Sequence, residues 1–514
     1  MKKKSLLKSI ASVGSMTMLS RILGFVRDII IARLFGAGIA ADAFFVAFKI
    51  PNFMRRLFAE GAFSLAFVPV LSEYKTQREH DDVQKLVNHV CGVLGGVLFF
   101  ITLVGVIAAP VLVMIFAPGF LDEPDRYSLT TDMLRITFPY IFFISLVAFA
   151  GGILNSYGQF AAPAFTPVFL NLSLIACAIW LAPLLDQPVM ALAWGVFFGG
   201  LIQLLFQLPF LYRLRLLPRP RYKKNDEGVG RIIKLMIPAL FGSSVAQINL
   251  LLDTLIASFL VAGSVSWLYF SDRLVEFPLG ILGIAVATVI LPNLSTKHAK
   301  KSAQEFSHTL DWALRLVIVL SVPAAAALAV LAGPMLATLF QYGEFSGDDV
   351  KMARMSLMAY SLGLVSFITI KVLATGFYAR QDTKTPVKIG IIAMVANMGM
   401  NIALVFPLAH TGLALATSLS ALLNAILLYR ALCQEGVYQS EPGWMFLTLK
   451  VILATTAMVT VIWWGAGELN QWLEWSWYER AGQLFLWIAI GAIVYFTALL
   501  LMGIHPKQLL TQKH

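Results

Sequence analysis

Four arginines stand inside hydrophobic runs of this sequence: Arg21, Arg27, Arg55 and Arg273. A guanidinium near the middle of a bilayer costs about 2.5–3.5 kcal/mol on the insertion scale, so four cost roughly 10 kcal/mol. An anion held in a watery cavity offsets that cost most directly. The choice of arginine narrows the anion, because a planar fork binds phosphate through two parallel hydrogen bonds and is less hydrated than an ammonium. Phosphate or pyrophosphate is the expected ligand chemistry.

The neighbours of these arginines fit such a site. At 100° per residue, Arg21, Gly24, Arg27 and Asp28 fall within an arc of about 120° on one helix. Gly24 leaves room there for a bulky ligand or a bend, and Asp28 can balance an arginine. Asp42, Lys49 and Arg56 follow at seven-residue intervals, roughly one stripe. Pro51 interrupts that stripe, which leaves Arg55 as an alternative to Arg56; Glu60 and Gly61 follow, the glycine as a second flexible point. Asp272, Arg273 and Glu276 lie one turn apart, so Glu276 at i+3 can brace Arg273. The competing reading is that these charges sit at helix ends, snorkel or pair structurally. Against it, apolar residues continue for about two turns on both sides of Arg21 and Arg27.

The elements that position these residues must be membrane helices. The chain is 59% hydrophobic and 13% charged, against about 45–50% and 25% in soluble proteins, and its mean hydropathy is +0.78. Long apolar runs recur from end to end, as in a polytopic all-α membrane protein. The net charge of +11 does not indicate nucleic acid, because the basic residues lie in short loops between apolar segments. Cys91, Cys177 and Cys433 have no metal-site spacing, and an odd count disfavours a disulfide framework. The seven histidines are scattered, none paired at ligand spacing.

Fourteen spans are expected, near 8–35, 41–73, 86–117, 130–156, 163–183, 188–212, 232–262, 265–295, 310–340, 351–379, 386–407, 411–432, 444–466 and 481–503. The loops between them alternate in charge. One set carries Lys2–Lys8, Lys75/Arg78/Lys85, Arg213–Lys234, Lys297–Lys301, Arg380–Lys388, Arg430 and Lys507/Lys513. The other set, 36–41, Asp122–Asp125, 185–188, Glu344–Asp349 and Glu468–Glu479, is nearly devoid of Lys and Arg and often acidic. The positive-inside rule then places both termini in the cytoplasm. Arg213–Lys234 reads as a linker, either a helix drawn to anionic lipid or a solvated connection.

An internal repeat accompanies these spans. Residues 66–72 (AFVPVLS) resemble 289–295 (VILPNLS) at an offset of 223, and Gln159 and Pro163 answer to Gln381 and Pro386. Residues 191–193 with Gln203 match 412–414 with Asn424 at 221, and Asp28 with 37–38 matches Asp253 with 262–263 at 225. Each repeat holds an even number of helices, so the halves share orientation, an architecture of transporters that rock between two lobes. The expected organisation is an N-lobe over 1–217, a linker over 218–230, a C-lobe over 231–435 and a C-terminal helix pair over 436–514.

The stretch SMTMLSRILGFVRDIIIARLFGAG…DAFFVAFKIPNFMRRLFAEGAFSLAFVPVLSEYK, with SVSWLYFSDRLVEFPLGILG, LFQYGEF and GFYARQDTKTPVKI, resembles the MurJ (MviN) family of bacterial lipid II flippases. The resemblance covers essentially the whole chain. It implies the fold of the multidrug/oligosaccharidyl-lipid/polysaccharide exporter superfamily, with its drug-extruding MATE branch. The family's cavity arginines fall on Arg21, Arg27, Arg55 and Arg273, with Asp42 as an acidic partner; it thereby selects Arg55 over Arg56. Lipid II carries an undecaprenyl pyrophosphate, and helices 13 and 14 would form the groove for its tail. The resemblance also implies a monomer in the bacterial inner membrane, surrounded by membrane lipids and in transient contact with the cell-wall synthesis machinery.

No cofactor is expected. There is no Walker A motif, so coupling falls to membrane potential or to an ion gradient. Asp253, Asn397 and Asn401 at i, i+4, and Thr417 form a candidate Na⁺ site of hard oxygen ligands, although related sodium sites can place a carboxylate where Asn401 stands. The alternative is a hydrogen-bonded polar cluster between helices. An arginine-rich cavity disfavours a drug/cation antiporter, while a flippase for another polyprenyl-linked glycan stays open. An enzyme acting on polyprenyl phosphates would need a catalytic set on a large loop, and no such loop is present.

Overall fold

Proline and the ends of apolar runs set where the helices begin and break. The computed structural model describes residues 3–56, 63–223, 226–300 and 302–504, with the backbone alone for 3–12, 238–239, 241–250, 284–285 and 287–289. Glu60 and Gly61 therefore lie outside the described residues. Among the described residues every regular element is a helix.

The first of two compact units covers Met1–Val265. Its helices are α1 (Lys3–Phe35), α2 (Ile39–Arg55), α3 (Ser64–Gln77), α4 (His80–Ile107), α5 (Ala109–Phe116), α6 (Pro124–Thr137), α7 (Tyr140–Ser156), α8 (Ala161–Phe165), α9 (Pro167–Ala176), α10 (Met190–Arg213) and α11 (Glu227–Ala257). The expected spans 86–117 and 130–156 are each split, at Pro110 and Pro139. Proline lacks the amide that would continue the ladder and clashes with the preceding turn. An aromatic cluster of Phe63, Phe67 and Phe149 ties α3 to α7, with ring centroids 5.1–6.2 Å apart. The helix that opens the second repeat, α11, packs in this unit against α2 to α5.

The linker has no regular structure over 216–223, and residues 219–223 are exposed, as a solvated connection requires. Residues 216–223 run extended along α4, where the Arg219 amide donates to Asn88 Oδ1 (2.7 Å), the Arg221 amide to Asn88 O (3.1 Å) and Gln84 Nε2 to Leu217 O (3.0 Å). Asp226 then caps α11 by accepting from the Val229 amide, and His89 Nδ1 lies 2.8 Å from its other oxygen. Burial pushes the Asp226 carboxyl up, but the Val229 amide and His89 outweigh it and hold it below its ordinary range.

The second unit covers Ser266–His514. It contains most of α12 (Ser264–Pro278), then α13 (Ile284–Ala299), α14 (Ala303–Val330), α15 (Ala332–Phe340), α16 (Gly347–Tyr378), α17 (Lys384–Gln434), α18 (Trp444–Gly465), α19 (Leu469–Glu474) and α20 (Trp477–Leu501). A π-helical turn, Leu279–Gly283, joins α12 to α13. Helix α17 comprises two arms that meet at Ala409 (φ 48°), just after Pro407, where the sequence predicts separate spans ending at 407 and starting at 411. Reciprocal capping boxes start α16 (Ser346/Asp349) and α20 (Ser476/Glu479).

The two unrepeated helices are fastened to this unit. Asp311, fully buried on α14, accepts from the Tyr438 hydroxyl and Trp444 Nε1, both at 2.7 Å, and from Arg315 Nε at 2.6 Å. Buried Arg480 at the start of α20 donates to Ala337 O (3.0 Å), Gln341 O (3.2 Å) and Leu473 O (2.8 Å), and Tyr495 donates to Val319 O (2.6 Å). Asp311→Ala strands the Tyr438 and Trp444 donors at once. At about 1–3 kcal/mol for each buried donor left unsatisfied, it should lower the melting temperature of the purified protein, whereas Tyr438→Phe alone should do so far less.

Among the described residues nine helices are long and apolar enough to cross a membrane. The two arms of α17 count there as one. The protein is a multi-pass membrane protein.

Candidate anion-binding site

The polar stripe of α1 meets α9. Arg27 is 6% exposed. Its Nε and Nη2 donate to Asp28 Oδ1 at 2.9 and 2.6 Å, and its Nη1 donates to Asn171 Oδ1 at 3.0 Å. Asn171 Nδ2 in turn donates to Ser20 O at 3.0 Å, closing a loop between the two helices. Asp28 offsets the charge of Arg27, and Asn171 fixes its direction, as expected for an ionised group held inside a membrane protein.

Two expectations about α1 meet the structure differently. Helix α1 continues through Gly24 without a break, and the face left bare by that glycine is turned to Asn171, whose Nδ2 would lie 3.6 Å from an added Cβ. That is an ordinary van der Waals distance, so Asn171 borders Gly24 without filling the place of a side chain. Arg21 is exposed and has no hydrogen-bond or ion-pair partner among the described residues. It is the most accessible guanidinium of the four.

Asp42 is not available to a ligand. It is 0% exposed, and its Oδ2 takes Arg126 Nη2 at 2.6 Å and the Gly263 amide at 2.8 Å. Arg126, itself 0% exposed, also lies 3.8 Å from the Phe120 ring centroid and 3.4 Å from Glu123 Oε1. Burying one charge in an apolar interior requires a counter-charge, so the position of Asp42 in an apolar run called for a cation. That cation immediately follows the acidic 122–125 loop.

The rest of the α2 stripe is half-buried: Lys49, Arg55 and Arg56. Arg55 Nε donates to Asn52 Oδ1 at 2.9 Å, one turn back. In the second unit, Arg273 Nη1 donates to Glu276 Oε2 at 2.7 Å, the brace its spacing predicts. The Tyr269 hydroxyl, absent from the sequence reading, accepts from Nε and Nη2 at 3.3 and 3.1 Å. Spacing of four residues on one helix could have found it. Tyr269 and Glu276 fix the plane of the fork, which is what a guanidinium needs to meet phosphate in a bidentate manner.

The candidate sodium ligands divide between the units. Asp253 is half-buried on α11 in the first, whereas Asn397, Asn401 and Thr417 lie on α17 in the second. Asn401 Nδ2 donates to Asn397 Oδ1 at 3.0 Å, both side chains being fully buried, and Thr417 donates back to Leu413 O at 2.9 Å. Each of these two bonds stays within one arm of α17.

Comparison with known proteins assigns this arrangement to a family. The family model described as lipid II flippase MurJ matches residues 31–480. A probable lipid II flippase MurJ of Haemophilus influenzae is 51% identical over 510 residues, covering 97% of this chain and 100% of the relative. The chain belongs to the MurJ family. A lipid II flippase MurJ of Burkholderia cenocepacia is 42% identical, with 97% of this chain and 98% of the relative covered. A solved MurJ in an inward closed conformation superposes with a TM-score of 0.79 at 26% identity, over 95% of this chain and 97% of its own. An inward-facing MATE transporter, 14% identical with a TM-score of 0.67 over 83% of this chain and 98% of its own, shares the fold. The family-model match begins at residue 31, after Arg21 and Arg27, and takes in Asp42, Arg55 and Arg273.

Proposed function

We propose that this chain moves lipid II from the cytoplasmic to the periplasmic leaflet of the bacterial inner membrane by alternating access. The observation that carries the reading is the end-to-end 51% identity with a probable lipid II flippase, with no segment of that relative left uncovered. Fixed guanidinium groups on α1 and α12, one from each compact unit, supply the chemistry a pyrophosphate needs. Arg21, Arg27, Arg55 and Arg273 hold the anion, Gly24 lies beside them and Lys49 adds charge. Glu276 orients Arg273, and Asp42 acts through Arg126 and Gly263 rather than on substrate.

The reading extends to the parts of the chain away from the arginines. The chain crosses the membrane fourteen times with both termini in the cytoplasm, and α18 and α20 flank the prenyl tail. The protein transports without catalysing a covalent step and works as a monomer beside the cell-wall synthesis machinery. Its driving force is membrane potential or an ion gradient, with Asp253, Asn397, Asn401 and Thr417 as the residues to test for Na⁺. Depletion of the protein in its host, where no second flippase substitutes, should cause lipid II to build up on the cytoplasmic leaflet before lysis. Normal peptidoglycan and continued growth after depletion would contradict the assignment.

A further inference from the structure

An ionised side chain remains that the site described above does not use. Lys371 lies on α16 in the apolar run 362–374, and no acidic residue occurs anywhere in 350–381. It is half-buried and has no hydrogen-bond or ion-pair partner among the described residues. Its stem packs against the neighbouring helix, where its Cδ and Cε lie 3.0 and 3.6 Å from the Cβ position of Gly283. Gly283 closes the π-helical turn Leu279–Gly283, and such turns inside helices mark functional sites more often than regular helix does. The missing side chain of Gly283 is what admits the lysine.

Gly283 is ten residues from Arg273 on the α12–α13 helix, about 15 Å along the axis. The unpaired ammonium therefore lies beyond the reach of the Tyr269–Arg273–Glu276 cluster, displaced toward the basic end of the unit. We propose that Lys371 is a second anion-binding position, one that takes the pyrophosphate of lipid II on its way from the cytoplasmic face to Arg273. The proposal rests on the flippase reading, which supplies both the anion and the direction. A lysine suits the role: it meets a phosphate oxygen as a point charge, without the bidentate grip of arginine, and so can pass the anion on.

Affinity of the purified full-length protein for lipid II and for undecaprenyl pyrophosphate, which lacks the sugar and peptide, tests this. Lys371→Met keeps the stem and removes the charge; it should weaken both ligands about tenfold or more, the loss of one charge-assisted hydrogen bond. Lys371→Arg should retain most of the affinity. Unchanged binding in Lys371→Met, alongside a loss in Arg273→Ala, overturns the proposal and leaves the flippase reading standing. A loss for lipid II alone assigns Lys371 to the peptide carboxylates and overturns the pyrophosphate assignment. Failure of the unaltered protein to bind lipid II refutes the flippase reading itself. If Lys371→Met does not insert, Lys371→Cys with Cys91, Cys177 and Cys433 replaced by alanine serves in its place. A cationic aminoethyl thiol reagent should restore affinity and a neutral methyl reagent should not; equal effects of the two overturn the proposal.

Discussion

Asp42→Ala should cost the protein about 3–5 kcal/mol of stability, because it leaves the guanidinium of Arg126 buried with only the half-exposed Glu123 at 3.4 Å as counter-charge. Neither member of the pair is exposed, and the 2.6 Å contact between them joins α2 to α6. The Gly263 amide loses its acceptor at the same time. Little of the variant should reach the membrane, and what is purified should melt well below the parent in a thermal aggregation assay. Replacing both partners with apolar residues, Asp42→Leu with Arg126→Met, should recover much of that stability, since an uncompensated charge costs more than an absent pair. The double variant should also still bind lipid II. A stable Asp42→Ala that has lost only lipid II binding would instead place Asp42 among the substrate-contacting residues.

Arg273→Ala should have the opposite character, with transport abolished and stability nearly intact. Its side chain is 33% exposed and Glu276 is 47% exposed, so removal leaves neither a cavity nor a buried orphan charge. Arg273→Lys should recover little. An ammonium cannot hold Tyr269 and Glu276 and still present a planar fork to phosphate. The measurement is complementation of a depletion strain, with protein level followed in the same membranes. Full growth with Arg273→Ala at normal levels would remove the second unit from the anion site.

How much of this was legible in the sequence depended on how local each signal was. Apolar runs and prolines located the helices to within a few residues, and the pairing of Arg273 with Glu276 followed from spacing alone. The partners of Arg27 and Asp42 did not. Asn171 lies 144 residues from Arg27, and Arg126 lies 84 from Asp42, so no periodicity links them; each pair is set by how two helices pack. In the linker the exposed basic residues 219–223 follow composition, but the bond from the Arg219 amide to Asn88 on α4 was not legible in it. That Asn171 borders Gly24 was hidden for the same reason. Lys371 was not singled out in the sequence, since its contact with Gly283 joins residues 88 apart.

The central claim is that guanidinium groups carried on α1 and α12 hold the pyrophosphate of lipid II while the chain carries it between leaflets. Its most direct test is leaflet-resolved transport of lipid II by the purified protein in vesicles, under an imposed membrane potential or Na⁺ gradient. Transfer should depend on the protein under at least one of these gradients and vanish in Arg27→Ala and Arg273→Ala variants that are reconstituted at equal density. Transfer that persists undiminished in both variants would contradict the account.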